Sequence, residues 1–279
     1  MKTFAYIKYQ FHLYSLRWRW LLPIPVGLVL GYWAGKVLEA SLPWGSADPA
    51  NALEAFVWAF GKPEIVYYVI SMLWIYLIAE PGLDHYSEGT LLLQLQSRRA
   101  WWLGKVGFVL MSTFQFAFLL LASFSLPVLV RYPLSAEWSM ASLGFGGINL
   151  GYATLNGTPV QAFWNIALFL LIGWFAIGLF ILLIDLAFKR AWAGFLGGAM
   201  LLVCSKLGMI TAGPVGGEGI SSFFMLQNHL EFTPLWAPVR VIPQVYSWIF
   251  WSVWIILCLA ASWQICKRQN LYAITLREE

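Results

Sequence analysis

Long apolar runs separated by short polar segments dominate this chain. Six runs stand out, at 21–38, 65–79, 103–130, 163–187, 193–210 and 241–266. A helix needs about 20 apolar residues to cross a hydrocarbon core of about 30 Å, and barrel strands would instead alternate in short segments. The pattern therefore predicts an all-α polytopic membrane protein with six transmembrane helices. The run 65–79 is short for a membrane span. We expect its helix to tilt little, to thin the bilayer locally, or to be lengthened by the preceding stretch 52–60.

Composition agrees with this class, since 60% of the 279 residues are hydrophobic, 11% are charged and the mean hydropathy is +0.71. The polar gaps between the runs are too short for an ordinary soluble domain. We therefore expect residues 1–279 to form a single transmembrane domain without internal repeats.

The positions of Lys and Arg predict the orientation. If the N-terminus is inside, five of the 17 basic residues fall on the outer side and the other twelve on the inner side. The outer five are Lys36, Lys62, Arg131, Lys206 and Arg240. The positive-inside rule then places both termini in the cytoplasm, with the loops 39–64, 131–162 and 211–240 outside. The net charge of +4 indicates contact with membrane lipid and not with nucleic acid.

The N-terminal segment 1–20 has the pattern of an interfacial helix. Aromatic and apolar side chains recur at helical spacing beside a polar stripe of Lys8, His12, Ser15 and Arg19. The apolar positions are Phe4, Ile7, Phe11, Tyr14 and Trp18. Pro23 and Pro25 separate this helix from the first span. The alternative, a secretory signal peptide, is less favoured because the basic and aromatic lead-in is long.

A polar island, DHYSEGTLLLQLQSRRAWWLGK, occupies residues 84–105 between two apolar spans. Ser87 suits an N-cap and Glu88 the first turn of a short helix. Leu91, Leu92 and Leu95 would form its apolar face at the membrane surface. Two tryptophans, 101 and 102, are then expected at headgroup level, and the Lys105 side chain is expected to snorkel back to the inner surface.

At these residues the chain resembles the six-span permease subunits of type-two ABC exporters. Many of those permeases carry an acid followed by Gly-Thr-Leu, a leucine-rich turn, a Ser-Arg pair and a Gly-Lys that opens the third span. The matching positions here are Glu88, Gly89, Thr90, Leu91, Leu92, Ser97, Arg98, Gly104 and Lys105, with Gln96 where a proline is frequent. The resemblance also covers the amphipathic N-terminal helix, the six spans and the long outer segment before the last span.

In that family the inner helix after the second span is a coupling helix that docks on a separate ATPase. The resemblance implies that segment 84–102 couples this chain to such a subunit. Arg98, Arg99 and Lys105 would hold the segment against anionic headgroups or ATPase acids, although these charges alone could simply set the topology. The implied coupling residues are Glu88, Gly89, Thr90, Leu91, Leu92, Leu95, Ser97, Arg98, Arg99 and Lys105.

No nucleotide site is recognisable in the sequence. The stretch GYWAGK at 31–36 has the wrong spacing for a phosphate-binding loop. ATP and Mg²⁺ are therefore expected on a pair of partner ATPase subunits beneath two permeases, which are identical or related. The scattered His and Cys residues indicate no catalytic, cofactor or metal site on this chain.

The segment 211–240 is rich in Gly and Pro, which predicts either a broken re-entrant hairpin or an ordinary outer loop. Lys206 and Glu218 are candidates for a transport pathway, although Lys206 can also snorkel outward. Asp185 is expected to pair with Lys189 at i,i+4 spacing. The glycines at 173, 178, 194, 197 and 198 are expected to permit close helix packing.

Together these features predict a bacterial plasma-membrane permease that exports a hydrophobic or amphipathic substrate such as a peptide, lipid, glycan or drug. Two alternatives stay open. A membrane-embedded enzyme would need clustered polar residues, which are scarce here. A non-catalytic scaffold or immunity-type protein would bind its target directly.

Overall fold

A computed structural model of the chain describes residues 2–15, 17–41, 50–62, 64–79, 97–139, 142, 150, 157–211, 226–230 and 244–268. Within these residues the regular structure is entirely helical. The helices are α1 (Lys2–Ser15), α2 (Pro23–Ser41), α3 (Ala52–Phe60), α4 (Met72–Ile78), α5 (Arg98–Leu129), α6 (Pro159–Phe188), α7 (Ala191–Thr211), α8 (Leu226–Leu230) and α9 (Gln244–Arg268). A 3₁₀ turn at Trp18–Leu21 precedes α2, and a π-helix at Ile65–Ser71 leads into α4.

Helices occupy all six predicted apolar runs, and four helical stretches are long and apolar enough to cross a membrane. Those four are Trp18–Ala40, Arg98–Leu129, Pro159–Phe188 and Gln244–Arg268. The apolar helices at Ile65–Ile78 and Trp192–Ser205 are shorter. The all-helical class is thus confirmed, and the described part of the chain has four helices long and apolar enough to span a membrane where six were predicted.

Helices α2 and α5 run side by side through closely spaced backbones. A Cβ at Gly27 would come within 2.7 Å of the Leu120 carbonyl oxygen and within 3.0 Å of the Phe124 nitrogen. Gly31 approaches the next turn of α5 in the same way, where a Cβ would lie 2.8 Å from Pro127. Because lipid offers little hydrophobic drive for association, such small-residue contacts allow the van der Waals packing that holds membrane helices together.

The glycines predicted to allow close packing do so in α6 and α7. A Cβ at Gly178 would meet Val109 at 2.7 Å and Trp74 at 3.2 Å, and one at Gly198 would meet Ile75 at 2.9 Å. Gly173 faces Leu230 of α8, which places that short helix against α6. The remainder of the segment 211–240 around α8, including the predicted hairpin, lies largely outside the described residues.

The stretch 52–60, predicted as part of an outer loop unless the second span borrows it, forms the buried helix α3. Eight of its nine residues are buried, against α2, α5 and α6. Asn51 and Glu54 form a capping box at its start. Helix α3 ends at Phe60, and the π-helix begins at Ile65.

Aromatic residues fill the centre of the bundle. The Trp74 indole donates a hydrogen bond to the carbonyl oxygen of Trp174 at 2.8 Å, and the Trp174 indole donates to Ser71 Oγ at 3.3 Å. Phe116 packs against both rings, at 5.2 and 5.0 Å between centroids. These contacts join α4, α5 and α6, so the indole N–H groups are satisfied without water.

Helix α1 agrees with the predicted pattern only in part. Ile7 and Phe11 of the apolar set are partly buried, and Lys8 and His12 of the polar stripe are exposed, as the spacing predicted.

The buried face nevertheless lies closer to Tyr6 than predicted. Tyr6 is 4% exposed and its ring lies over Gly104 of α5, whereas Phe4 is 74% exposed. Gln10 is buried, and Arg19 of the predicted polar stripe is buried as well. The face is rotated toward Tyr6 because its ring fits over Gly104.

Candidate functional site

The first two turns of α5 form a junction where α1, α6 and α9 come together. Ser97 is the N-cap of α5, and its Oγ accepts a hydrogen bond from the Ala100 backbone N–H at 3.3 Å. This cap sets the first residue of α5, because the side-chain oxygen accepts a hydrogen bond from a free N–H group of the first turn. The helix therefore starts four residues earlier than the predicted limit of that segment at 102.

Arg98 connects the start of α5 to the end of α9. Its Nη1 donates a hydrogen bond to the Lys267 carbonyl oxygen at 2.6 Å, and the Cys266 thiol lies 3.9 Å from the Arg98 carbonyl oxygen. A cation at the free carbonyls of a helix C-terminus is electrostatically favourable. The Arg98 guanidinium thus binds the end of α9. Arg99, in contrast, is exposed.

Lys105 is buried, which makes the snorkelling prediction wrong. The residue is 1% exposed, and its Nζ donates to Gln10 Oε1 of α1 at 3.5 Å. The ammonium also lies 5.7 Å from the centre of the Trp101 ring. The long stem runs into the bundle and not along the surface because α1 covers this turn of α5.

Asp185 lies on the opposite wall of the same region and does not pair with Lys189. The carboxylate is fully buried against the backbone of Gly194, where any Cβ would overlap Oδ1. Lys189 caps α6 in the left-handed conformation with φ 53° and is exposed. The i,i+4 geometry assumed for the ion pair therefore does not hold, and that prediction is wrong.

Lys105 and Asp185 line one small cavity of about 10 Å³, which has room for about one water molecule. The remaining wall is apolar: Ile78, Phe108, Val109, Gly178 and Leu182. Within the described residues neither Asp185 oxygen has a hydrogen-bond partner of good geometry. The cavity therefore brings a basic side chain of α5 and an acidic side chain of α6 to one site.

The two tryptophans expected at headgroup level both contact other parts of the protein. Trp101 is buried, and the half-buried Trp102 indole donates to Ser262 Oγ of α9 at 3.0 Å. The Trp102 and Trp263 rings lie 5.4 Å apart. The contact with α9 could not be predicted, because a local sequence window does not contain it.

Several predicted site residues lie outside the described part of the chain. They are Glu88, Gly89, Thr90, Leu91, Leu92, Leu95 and Glu218. Lys206 belongs to α7, but its side chain is outside the description. The structure therefore brings together Ser97, Arg98 and Lys105 of the predicted set. It adds Gln10, Asp185 and Gly194, of which only a buried glutamine in an otherwise aromatic helix gave a usable sequence signal.

A second feature is an apolar groove of about 220 Å³ between α5 and α6, near the buried helix α3. Aromatic side chains contribute much of its wall, with Phe114, Phe118 and Trp164 also exposed at the surface. Its further lining comes from Phe56, Ala117, Leu121, Ala167, Leu168, Leu170, Leu171 and Trp174. Such a groove can accept hydrocarbon or an aromatic group but offers little to a polar one.

The histidines and cysteines of the described residues do not gather. No group of three His, Cys, Asp or Glu side chains there could hold a metal ion. His229 of α8 is buried, stacks on Phe250 at 3.9 Å between centroids and hydrogen-bonds Ser247 Oγ at 3.0 Å. The three cysteines are free thiols.

Comparison of the chain with protein-family models, with curated proteins and with solved structures finds no match.

Proposed function

We propose that this chain is the membrane permease subunit of an ATP-driven ABC exporter of the second type, powered by separate ATPase subunits. The observation that carries the proposal is the junction at the start of α5. Ser97, which directly follows the predicted docking helix Glu88–Gln96, caps α5 at the point where α1, α6 and α9 contact it. A push on the docking helix would therefore reach four helices at once.

The contacts at this junction suit the transmission of a rigid movement. Arg98 fastens α5 to the end of α9, and Lys105 fastens it to α1 through Gln10. Asp185 of α6 lines the same cavity as Lys105. Because packed helices move as units, a displacement of the first turn of α5 would move the neighbouring helices with it.

The cargo in this proposal is hydrophobic or amphipathic. The aromatic groove between α5 and α6 supports this class, since it would favour an apolar group and would leave an ion without polar partners. Transport of such a cargo would proceed along the protein–lipid boundary, with a second permease, identical or related, on the other side of the path.

Replacement of the docking helix tests the proposal. The chain is purified through a terminal tag with Glu88 and Leu92 each changed to Lys, and the co-purifying ATPase is quantified. A matched control changes Lys36 and Glu39, an exposed pair 2.8 Å apart near the far end of α2, to Gln. We expect the ATPase to be lost only from the docking-helix variant. A chain that carries no ATPase and still transports, or binds its target directly as a scaffold would, contradicts the proposal.

A further inference from the structure

Lys62 lies between the end of α3 and the start of the π-helix. The Gly61 backbone N–H donates to the Val57 carbonyl oxygen at 2.9 Å and closes α3. The Lys62 carbonyl oxygen accepts from the Val66 N–H at 3.1 Å and opens the next helical piece. Lys62 therefore sits at the joint of a discontinuous helix, a position that in membrane proteins often lines a ligand site.

Two tryptophans hold the Lys62 ammonium in place. Its Nζ lies 4.1 Å from the centre of the Trp58 ring and 5.8 Å from that of Trp33. The two indoles meet edge to face, 5.0 Å apart with an angle of 71° between their planes. Trp58 is buried and Trp33 is exposed, while Lys62 is half-buried. The rings fix the cation by cation–π attraction and leave part of it accessible from the surface.

No acid within the described residues forms an ion pair with Lys62. Glu54, in the same region, accepts hydrogen bonds from Ser139 and from the Asn51 backbone. Glu39 on α2 pairs with Lys36 at 2.8 Å. The positive charge of Lys62 is thus not neutralised by these neighbours.

The level of this charge makes an external anion the natural partner. The Lys62 ammonium lies 5.8 Å from the Trp33 ring. Trp33 precedes Lys36 by three residues, and the Lys36 ammonium is exposed and pairs with the exposed Glu39. Lys62 therefore lies about one helical turn from a charged, exposed part of α2. Lysine stems at such a level reach lipid headgroups by snorkelling, and a lipid phosphate is the anion that a membrane supplies there.

We propose that Lys62, held between Trp33 and Trp58, is a phosphate-binding site and that its occupant is the headgroup of an anionic membrane lipid. The site stands on the contacts of α2 and α3 and does not depend on the transport function proposed above. A bound headgroup there would anchor the break between the two helical pieces to one lipid leaflet.

Native mass spectrometry of the purified, delipidated full chain tests this site. Phosphatidylglycerol is titrated against the wild type and against Lys62→Gln, Lys62→Arg and Lys189→Gln. We expect Lys62→Gln to weaken the tightest phosphatidylglycerol binding about fivefold, as the loss of one lysine near a membrane surface implies. Lys62→Arg keeps the charge and should retain binding. Lys189→Gln removes an exposed charge without an aromatic pair beside it and should leave binding unchanged.

Two further titrations separate phosphate recognition from other causes. Diacylglycerol, which has the same tails and no phosphate, should bind the wild type and Lys62→Gln equally. An excess of inorganic phosphate should not displace the lipid. Equal phosphatidylglycerol binding by wild type and Lys62→Gln, or an equal loss in Lys189→Gln, would overturn the site. Displacement by inorganic phosphate would overturn its assignment to lipid. A loss of diacylglycerol binding in Lys62→Gln, or an unfolding temperature lowered in that variant alone, would attribute the effect to folding and overturn the proposal.

Discussion

The buried pair of Lys105 and Asp185 gives the sharpest energetic prediction. Both residues are withdrawn from solvent, at 1% and 0% exposure, and they line the same cavity. The perturbation is a double-mutant cycle with Lys105→Met and Asp185→Asn. Methionine keeps an unbranched stem of similar length, and asparagine keeps the shape of the carboxylate, so each change chiefly removes charge.

The expected magnitude follows from the shared cavity. Two side chains that line one cavity usually couple by about 0.5–3 kcal/mol, whereas separate sites add. The double variant should therefore lose less unfolding free energy than the sum of the two single losses, by an amount in that range.

Equilibrium unfolding in mixed detergent, followed by near-ultraviolet circular dichroism, measures these free energies. Lys36→Met and Glu39→Gln provide the control cycle, since that pair is close, at 2.8 Å, but exposed at the surface. Its coupling should be undetectable because water screens exposed pairs. Strictly additive losses at Lys105 and Asp185 would refute the electrostatic link between α5 and α6.

Three other substitutions test the packing. Gly27→Ala should cost about 1–3 kcal/mol of unfolding free energy, since its Cβ meets α5 backbone. Gly35→Ala meets the Tyr132 ring at 3.4 Å and the Arg131 side chain at 3.7 Å, which are ordinary contact distances, and should be nearly neutral. A comparable loss in both would argue against the α2–α5 contact. Trp74→Phe removes the hydrogen bond that the indole donates to the Trp174 carbonyl oxygen and should lower the unfolding free energy by about 1 kcal/mol; an unchanged value would contradict a stabilising role of that bond. Glu54→Ala removes the carboxylate that accepts two hydrogen bonds from Ser139. Hydrogen exchange of the Ser139 amide, measured by mass spectrometry, should therefore become faster, and unchanged exchange would contradict the contact.

Apolar runs were enough to predict the helices, because their signal is local. The run 163–187 lies inside α6, and the run 103–130 overlaps nearly all of α5. The boundaries depend on caps. Ser97 begins α5 earlier than the apolar run suggests, and Thr158 with Gln161 begins α6 through a capping box. Such caps are readable in a sequence only once the helix itself is known.

The interior charges could not be predicted, because their partners lie far away along the chain. Lys105 at the start of an apolar run looks the same in sequence whether it snorkels or is covered by α1. Its neighbour Gln10 lies 95 residues away. Asp185 similarly depends on Gly194, whose lack of a side chain admits the carboxylate. These arrangements follow from which helices pack together, and periodicity does not contain that information.

The buried face of α1 shows the same limit on a smaller scale. Helical spacing assigned Phe4 to the apolar stripe of an interfacial helix and left Tyr6 out of that stripe. The structure buries Tyr6, whose ring fits over Gly104, and leaves Phe4 exposed. When a helix is aromatic on more than one side, its partner decides which side is buried.

The stoichiometry of the complex isolated from its native membrane tests the proposed function most directly. The chain is tagged at one end, extracted in mild detergent and weighed by native mass spectrometry, with ATP hydrolysis assayed on the same sample. The proposal predicts two ATPase subunits for every two permeases and hydrolysis that disappears when the docking helix Glu88–Gln96 is replaced. A homogeneous chain that carries no ATPase, from membranes in which its transport is intact, would contradict it.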